Sequence, residues 1–284
     1  MTERASRELR AWSESAPYWA KHREVIRTMF APISAALIQE VPIEEGQVVL
    51  DVAGGVGDPS LTIARICSPS GWVACSDAVA EMVATAKREA QLQGIENLHA
   101  VQCLSEGLPF QDNAFDAAVS RLGLMFSSDP LLSLREMLRV IKPGRRMSLA
   151  VWNSSEVNPF FTVTAKVVAR YLPMPSLDPD APGAFRFGER GKLAKLLTQA
   201  GAIEVVERNL RLRIEASVKL KDFWAVRSEM SEVLRSRAAQ LSPSQLAAVE
   251  REVQKEASEF FSSGRVSFPA EILLVSGARG PLSR

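Results

Sequence analysis

Residues 48–60 read VVLDVAGGVGDPS. Val48-Val49-Leu50 is a short apolar run of the kind that forms a buried strand, and Asp51 follows it. Ala53-Gly54-Gly55-Val56-Gly57 is a turn of small residues, after which Asp58-Pro59-Ser60 opens the helical pattern Leu61-x-x-Ala64. A strand, a glycine turn and a helix start bring backbone N–H groups close to a bound nucleotide, because glycine alone tolerates positive φ and very close approach. The turn by itself does not say which nucleotide.

Outward from this stretch, strands alternate with helices. Trp72–Ser76 reads as a second strand ending at Asp77, and residues 79–92 as a helix with Met82, Ala86 and Ala90 on one stripe and Gly94 after it. Leu98–Cys103 and Phe115–Ser120 read as third and fourth strands, 129–141 as a helix broken at Lys142-Pro143-Gly144, and Arg146–Trp152 as a fifth strand. This alternation predicts a mainly parallel sheet covered by helices on both faces, with ligands outside the C-terminal strand ends. Beyond it lie a helix at Pro159–Leu172, a proline-rich loop from Met174 to Gly183 and a helix near 189–200. A long strand at Ile203–Ile214, a mostly helical segment 219–261 broken at Leu241-Ser242-Pro243, and a returning strand at 270–276 complete the chain. The expectation is one domain over 1–284, with an N-terminal helical arm or lid (1–43), a cofactor-binding core (45–155) and a helical insertion (219–261) that covers an acceptor pocket.

Composition narrows the function classes. The 284 residues carry a formal charge of +1, with 46% hydrophobic and 24% charged residues, the mix of an ordinary globular protein with no long-range pull towards nucleic acid. Cys67, Cys75 and Cys103 lack CxxC spacing, which argues against a disulfide framework or a structural metal site. The polar start MTERASRELR is unlike a secretory signal, and no apolar run reaches 18 residues, so a cytoplasmic protein without integral membrane association is expected. Self-association as a homodimer stays open.

Asp77 falls 20 residues after Gly57, where an acidic side chain can accept from both hydroxyls of a ribose. NAD sites share that feature, but the turn GGVGD lacks the G-x-G-x-x-G spacing that admits a pyrophosphate. Asp51 before the turn and Asp58 after it repel phosphate and tolerate an ammonium or sulfonium group.

DVAGGVGDPS, SDAVAEMV, SEGLPFQDNAFDAAVSRLGLMF and LREMLRVIKPGRR occur in this order and resemble the motifs of class I S-adenosylmethionine-dependent methyltransferases. The chain is most similar to the ubiquinone/menaquinone-biosynthesis C-methyltransferase group, over roughly residues 45–155 and more weakly through DPDAPGAFRFGERGKLAKLL. The resemblance implies a Rossmann-like seven-stranded sheet whose last strand is antiparallel, with S-adenosyl-L-methionine as cofactor. It implies that Asp51 and Ala53, Gly54, Gly55 and Gly57 hold the methionine part, together with Asp58. Asp77 would bind the ribose, and Ala78 and Met82 would flank the adenine. Leu104-Ser105-Glu106 stands where this group shows Asp-Ala-Glu, so Leu104 removes an expected adenine contact and leaves Ser105, Glu106 or backbone groups to replace it. Arg121 and the residues to Phe126 would border the methyl-transfer region.

The reaction such a fold implies is methyl transfer to an O, C or N atom of a small aromatic or lipophilic molecule, achieved mainly by positioning. Candidate side chains for a proton-transfer or orienting role are His22, Tyr18 and Arg121. Trp19, Phe126, Trp152, Phe160, Phe161, Phe185 and Trp224 are candidates for the acceptor pocket, and no metal ligands are expected. Two other readings use the same turn: an NAD(P)-dependent oxidoreductase, and a non-catalytic nucleoside-cofactor-binding protein.

Overall fold

The structure is a computed structural model that describes residues 3–173 and 178–281. The proline-rich loop expected from Met174 to Gly183 therefore falls partly outside the described residues. Two helices come first, α1 (Glu3–Lys21) and α2 (Arg23–Glu40). The alternating core follows: β1 (Val48–Val52), α3 (Ser60–Cys67), β2 (Trp72–Asp77), α4 (Ala80–Leu92), β3 (Leu98–Gln102), β4 (Phe115–Arg121), α5 (Pro130–Val140) and β5 (Ile141–Trp152). Helix α6 (Pro159–Ala169), α7 (Lys192–Gln199) and β6 (Ala202–Ala216) come next. Then α8 (Phe223–Glu229), α9 (Glu232–Ala238) and α10 (Pro243–Ala257) precede a two-residue strand β7 (Phe261–Ser262) and β8 (Arg265–Arg279).

The main sheet runs β3-β2-β1-β4-β5-β8-β6, with β1 to β5 parallel and β8 antiparallel to both β5 and β6. This is a Rossmann-like α/β sheet with one reversed strand near its edge. Two-residue periodicity divides the core. Val49, Val73, Cys75, Ala117 and Val119 pack with Leu61, Ile63 and Ala64 of α3 and Ala86 and Ala90 of α4. Leu50, Val52, Ala74 and Ala118 belong to the cluster that contains Leu134, Met137 and Leu138 of α5. Both sets are buried, which is why β1, β2 and β4 read as continuous apolar runs instead of alternating ones.

Local signals explain the element ends. Asp129 caps α5, its side chain accepting from Leu132 N–H at 3.0 Å, with Pro130 at the first helical position. The break read at Leu241-Ser242-Pro243 is the start of α10, where Ser242 and Gln245 form a capping box. The helix expected over 129–141 ends at Val140, and Lys142-Pro143-Gly144, read as its break, already lies in extended chain. Strand β5 begins at Ile141, and its register against β4 shifts between Phe115 and Ala117.

Strand order reverses at β1, with β2 on one side and β4 on the other, so the C-terminal ends of these strands open a crevice at the switch point. Helix α1 lies over that crevice. Leu9, Trp12, Ala16 and Trp19 share one helical stripe and pack with Val56 of the glycine turn, Val79 just before α4 and Met82 in its first turn. No helix among the described residues is long and apolar enough to cross a membrane.

Candidate active site

The crevice is walled by Val52, Ala53 and Gly55 after β1, by Ser76 to Val79 and Met82 after β2, and by Cys103 to Glu106 after β3. Arg121 to Gly123 and Phe126 to Ser128 after β4 close another side, and Glu8, Leu9, Trp12, Trp19 and Phe30 come from α1 and α2. Two non-glycine residues in the wall, Ala53 at φ +56° and Leu122 at φ +60°, hold left-handed backbone. That conformation is uncommon outside glycine and concentrates at functional sites. The loops after β1 and β4 nearly touch: a Cβ on Gly123 would stand 2.4 Å from Ala53 Cβ. Gly54 is equally confined, since a Cβ there would meet Cys75 Sγ at 2.7 Å and Asp51 Oδ2 at 3.0 Å.

Asp77 is anchored from both sides. Its Oδ2 accepts from Gly55 N–H at 3.0 Å and its Oδ1 from Val79 N–H at 2.9 Å. Burial pushes its pKa above the ordinary carboxylate range, against the opposing effect of those backbone donors. An ionised carboxylate offers about four acceptor positions. The backbone takes two, leaving acceptor capacity for hydroxyls in the crevice.

Beneath the glycine turn, Asp51 is fully buried and accepts from Ser60 Oγ at 2.6 Å through Oδ2, while its Oδ1 has no partner among the described residues. Burial raises its pKa to about 7, opposed by the Ser60 hydrogen bond and the charge of Arg121. Asp58, also buried, has an unpartnered Oδ2; burial raises its pKa against the opposing charges of Arg121, Arg23 and Arg27. Arg121 donates from Nη1 to Ser34 Oγ at 2.7 Å and lies 5.8 Å from the centroid of Phe30. Its own pKa is lowered by burial and supported by Asp58 and Asp51. The turn thus sits on two buried carboxylates that lie behind the crevice wall, both facing Arg121, while Asp58 lines a neighbouring groove with Arg23 and Arg27; their charge disfavours a pyrophosphate at the turn.

Leu104, Ser105 and Glu106 all line the crevice, but Glu106 has another task. Its Oε1 accepts from Ser127 Oγ, Ser128 N–H and Oγ, and Asp129 N–H, and its Oε2 from Ser105 Oγ. Burial would raise its pKa, and the donors of Ser128, Ser127 and Asp129 bring it below the usual value. Glu106 therefore organises the 127–129 loop. Leu104, 41% exposed, turns an apolar side chain to the crevice.

The two candidates for proton transfer on the arm are placed elsewhere. His22 sits between α1 and α2, where the helical phase restarts, and its Nε2 meets Glu229 Oε2 of α8 at 2.5 Å. Tyr18 is about 100° of helical rotation from Trp19, and Arg235 of α9 lies 5.0 Å from its ring centroid. With Lys21–Glu229 at 2.8 Å and Arg235 Nη2 donating to Ser15 Oγ at 2.7 Å, these groups clamp the arm to α8 and α9.

Of the candidate acceptor-pocket aromatics, Trp19 and Phe126 are in the wall. Trp152, Phe160 and Trp224 are buried behind it, and Phe161 and Phe185 are partly buried against the same core. A large aromatic after a strand end looks the same in sequence whether it faces ligand or core. Leu122 and Gly123 line the wall as part of the segment from Arg121 to Phe126 expected there, whereas Phe30 of α2 joins it from an element with no such expectation. Trp12, an aromatic of the arm read as a lid, also reaches the wall, edge-on to Trp19 at 5.5 Å and to Phe126 at 4.8 Å. The signal was the i, i+3, i+7, i+10 spacing of Leu9, Trp12, Ala16 and Trp19 in an otherwise polar helix.

Comparison with known proteins agrees with this geometry. The chain is 37% identical over 123 residues to the ubiquinone/menaquinone biosynthesis C-methyltransferase UbiE of Hahella chejuensis, a match covering 43% of this chain and 49% of that protein. It therefore spans about half the length of the curated relatives it matches. By fold, it is similar to the YcgJ protein of Bacillus subtilis (TM-score 0.54, 18% identity, 87% of this chain and 98% of that one). It is also similar to phosphoethanolamine N-methyltransferase 2 of Haemonchus contortus in complex with S-adenosyl-L-methionine (TM-score 0.53, 15% identity, 88% and 53%). Residues 34–177, half of the chain, match the ubiE/COQ5 methyltransferase family, and the chain belongs to that family.

Proposed function

We propose that this protein transfers the methyl group of S-adenosyl-L-methionine to an O, C or N atom of a small aromatic or lipophilic acceptor. The observation that carries the reading is the set of three carboxylates around one glycine turn, Asp51, Asp58 and Asp77. Two of them are buried with an oxygen that has no partner among the described residues. Arg121 faces both, and the remaining acceptor capacity around the turn suits a cation and disfavours a phosphate. The cofactor's ammonium and sulfonium groups supply positive charge, which the two phosphates of NAD(P) do not. The Haemonchus neighbour, bound to the same cofactor, supports the assignment by analogy of fold.

In this reading Asp77 holds the ribose hydroxyls. Gly54, Gly55 and Gly57, with Ala53, Asp51 and Asp58 beside them, receive the amino-acid end. Ala78, Met82, Leu104 and Ser105 border the base. The bound cofactor supplies an electrophilic methyl on a sulfonium. The protein's part is to orient the acceptor, hold it in line and exclude water, which can lower a barrier by about 7–11 kcal/mol without proton transfer. Trp12, Trp19, Phe30 and Phe126 give the crevice the apolar and aromatic surface that a flat acceptor needs. The arm carrying Trp12 and Trp19 acts as a lid, and helices α8 and α9, within the 219–261 insertion, hold it down. His22 and Tyr18 serve this docking, and Arg121 balances the carboxylates under the turn.

The test is turnover: incubation with S-adenosyl-L-methionine carrying a labelled methyl group and a panel of phenols, hydroquinones and aromatic acids. Label in an acceptor is the expected result. Tight cofactor binding with no labelled product across the panel would favour a non-catalytic binding protein.

A further inference from the structure

The crevice sorts the parts of a nucleoside ligand by strand. The glycine turn follows β1, Asp77 ends β2, and Cys103 to Glu106 follow β3, which pairs with β2 out to Asp77 and Gln102. With the amino-acid end of the cofactor at the turn and its ribose on Asp77, the base comes next in line, at the end of β3. Val79 and Met82, packed with Leu9 and Trp12 of α1, give that place an apolar side. At its rim stands Leu104, 41% exposed and part of the crevice wall.

The polar side chains after β3 are engaged elsewhere. Ser105 Oγ is held between Glu106 Oε2 at 3.0 Å and Ser133 Oγ at 2.8 Å. Glu106 Oε1 takes four donors from residues 127–129. Cys103 offers a thiol, a weak acceptor, and Leu104 offers neither donor nor acceptor. A carboxylate or amide at this rim would accept from the exocyclic N–H of adenine and reject bases that lack it. We propose that Leu104 leaves the 6-position of the purine unread, so that the site takes cofactors whose 6-amino group is alkylated or absent as well as S-adenosyl-L-methionine. Selectivity then resides in the ribose and the amino-acid end, and an alkyl group on the amino nitrogen meets the Leu104 side chain and then solvent. This rests on the S-adenosyl-L-methionine reading and specifies the range of purines it covers. Glu8 of α1 is the remaining carboxylate in the wall and enters the test as the rival reader of the base.

The test is calorimetry on the full chain with S-adenosylhomocysteine, its N6,N6-dimethyl analogue and its analogue with hydrogen in place of the 6-amino group. Neither analogue has an N–H at position 6. The wild type is expected to bind all three within about threefold. A carboxylate contact to that N–H is worth about tenfold or more, so Leu104→Asp is expected to favour S-adenosylhomocysteine over both analogues by at least that factor. A preference of tenfold or more in the wild type overturns the proposal, and its loss in Glu8→Gln would identify Glu8 as the reader. A folded Leu104→Asp protein that binds all three alike also overturns it, because position 104 then does not face the base. The wild-type ratios decide even where a variant does not fold. Failure of all three ligands to bind removes the S-adenosyl-L-methionine reading and the proposal with it, whereas a wild-type preference among bound ligands removes the proposal alone.

Discussion

Replacing Asp77 by asparagine changes one oxygen to an amide nitrogen and isolates what the carboxylate contributes. In the native protein the two oxygens accept from Gly55 N–H at 3.0 Å and Val79 N–H at 2.9 Å, and both donors are fixed by the backbone. The amide of asparagine must turn its NH₂ towards one of them, setting donor against donor. Turning the other way only exchanges which backbone group is lost. The variant therefore loses one anchoring hydrogen bond and the charge that strengthens any ribose contact. Hydrogen bonds to charged groups are worth about 1.5–3 kcal/mol each. Losing the ribose contact alone weakens cofactor binding by roughly 10- to 150-fold, at about 1.4 kcal/mol per factor of ten. Titration calorimetry with S-adenosylhomocysteine measures this directly, with the thermal midpoint as a control for folding. An affinity within threefold of wild type in a folded Asp77→Asn protein would refute the assignment of Asp77.

Three further outcomes follow from the same geometry. Burial pushes the Asp51 pKa up to about 7 in the folded chain against an ordinary 3.8, so the folded state holds the extra proton between these values and Asp51 is a carboxylate above them. Its contribution to stability is thus present below about pH 4 and lost as pH rises to about 7, up to about 4 kcal/mol. Denaturant titrations of wild type and Asp51→Asn at pH 4 to 8 should show the difference, and affinity for the cationic cofactor should rise through pH 7 in the wild type only. Gly123→Ala places a methyl 2.4 Å from Ala53 Cβ, an overpacking of about 1–3 kcal/mol that should lower Tm by about 3–10 °C and weaken cofactor binding with it. Glu229→Gln removes the charge that pairs with Lys21 and one of the two acceptor oxygens shared by Lys21 and His22; these contacts are partly exposed and worth at most about 1 kcal/mol, so global stability should barely move. Limited proteolysis should nonetheless cut the arm faster, with kcat/KM falling through KM.

The cofactor half of the molecule was legible because its chemistry is local in sequence. VVLDVAGGVGDPS encodes a strand, a turn and a helix start in thirteen residues, and the Asp77 position follows from one further strand. Short buried strands with glycine and proline turns left little ambiguity in β1 to β4. Lys142-Pro143-Gly144 hid the start of β5, since those residue types usually mark a loop and are accommodated here by a register shift. The acceptor half was less legible because its walls come from distant elements. Trp12, with Trp19 against it, meets Phe126 only after α1 folds over the crevice, and nothing local says that Trp152 and Phe160 stop one layer short. His22 drew notice as a titratable residue on a covering arm; its partner Glu229, 207 positions away, explains its place.

The most direct test of the central claim is a pair of calorimetric titrations of the wild-type chain, one with S-adenosyl-L-methionine and one with NADH. The three carboxylates around the glycine turn predict saturable one-to-one binding of S-adenosyl-L-methionine, weakened in Asp77→Asn, and no heat of binding with NADH. Binding of NADH in preference to S-adenosyl-L-methionine would contradict the account.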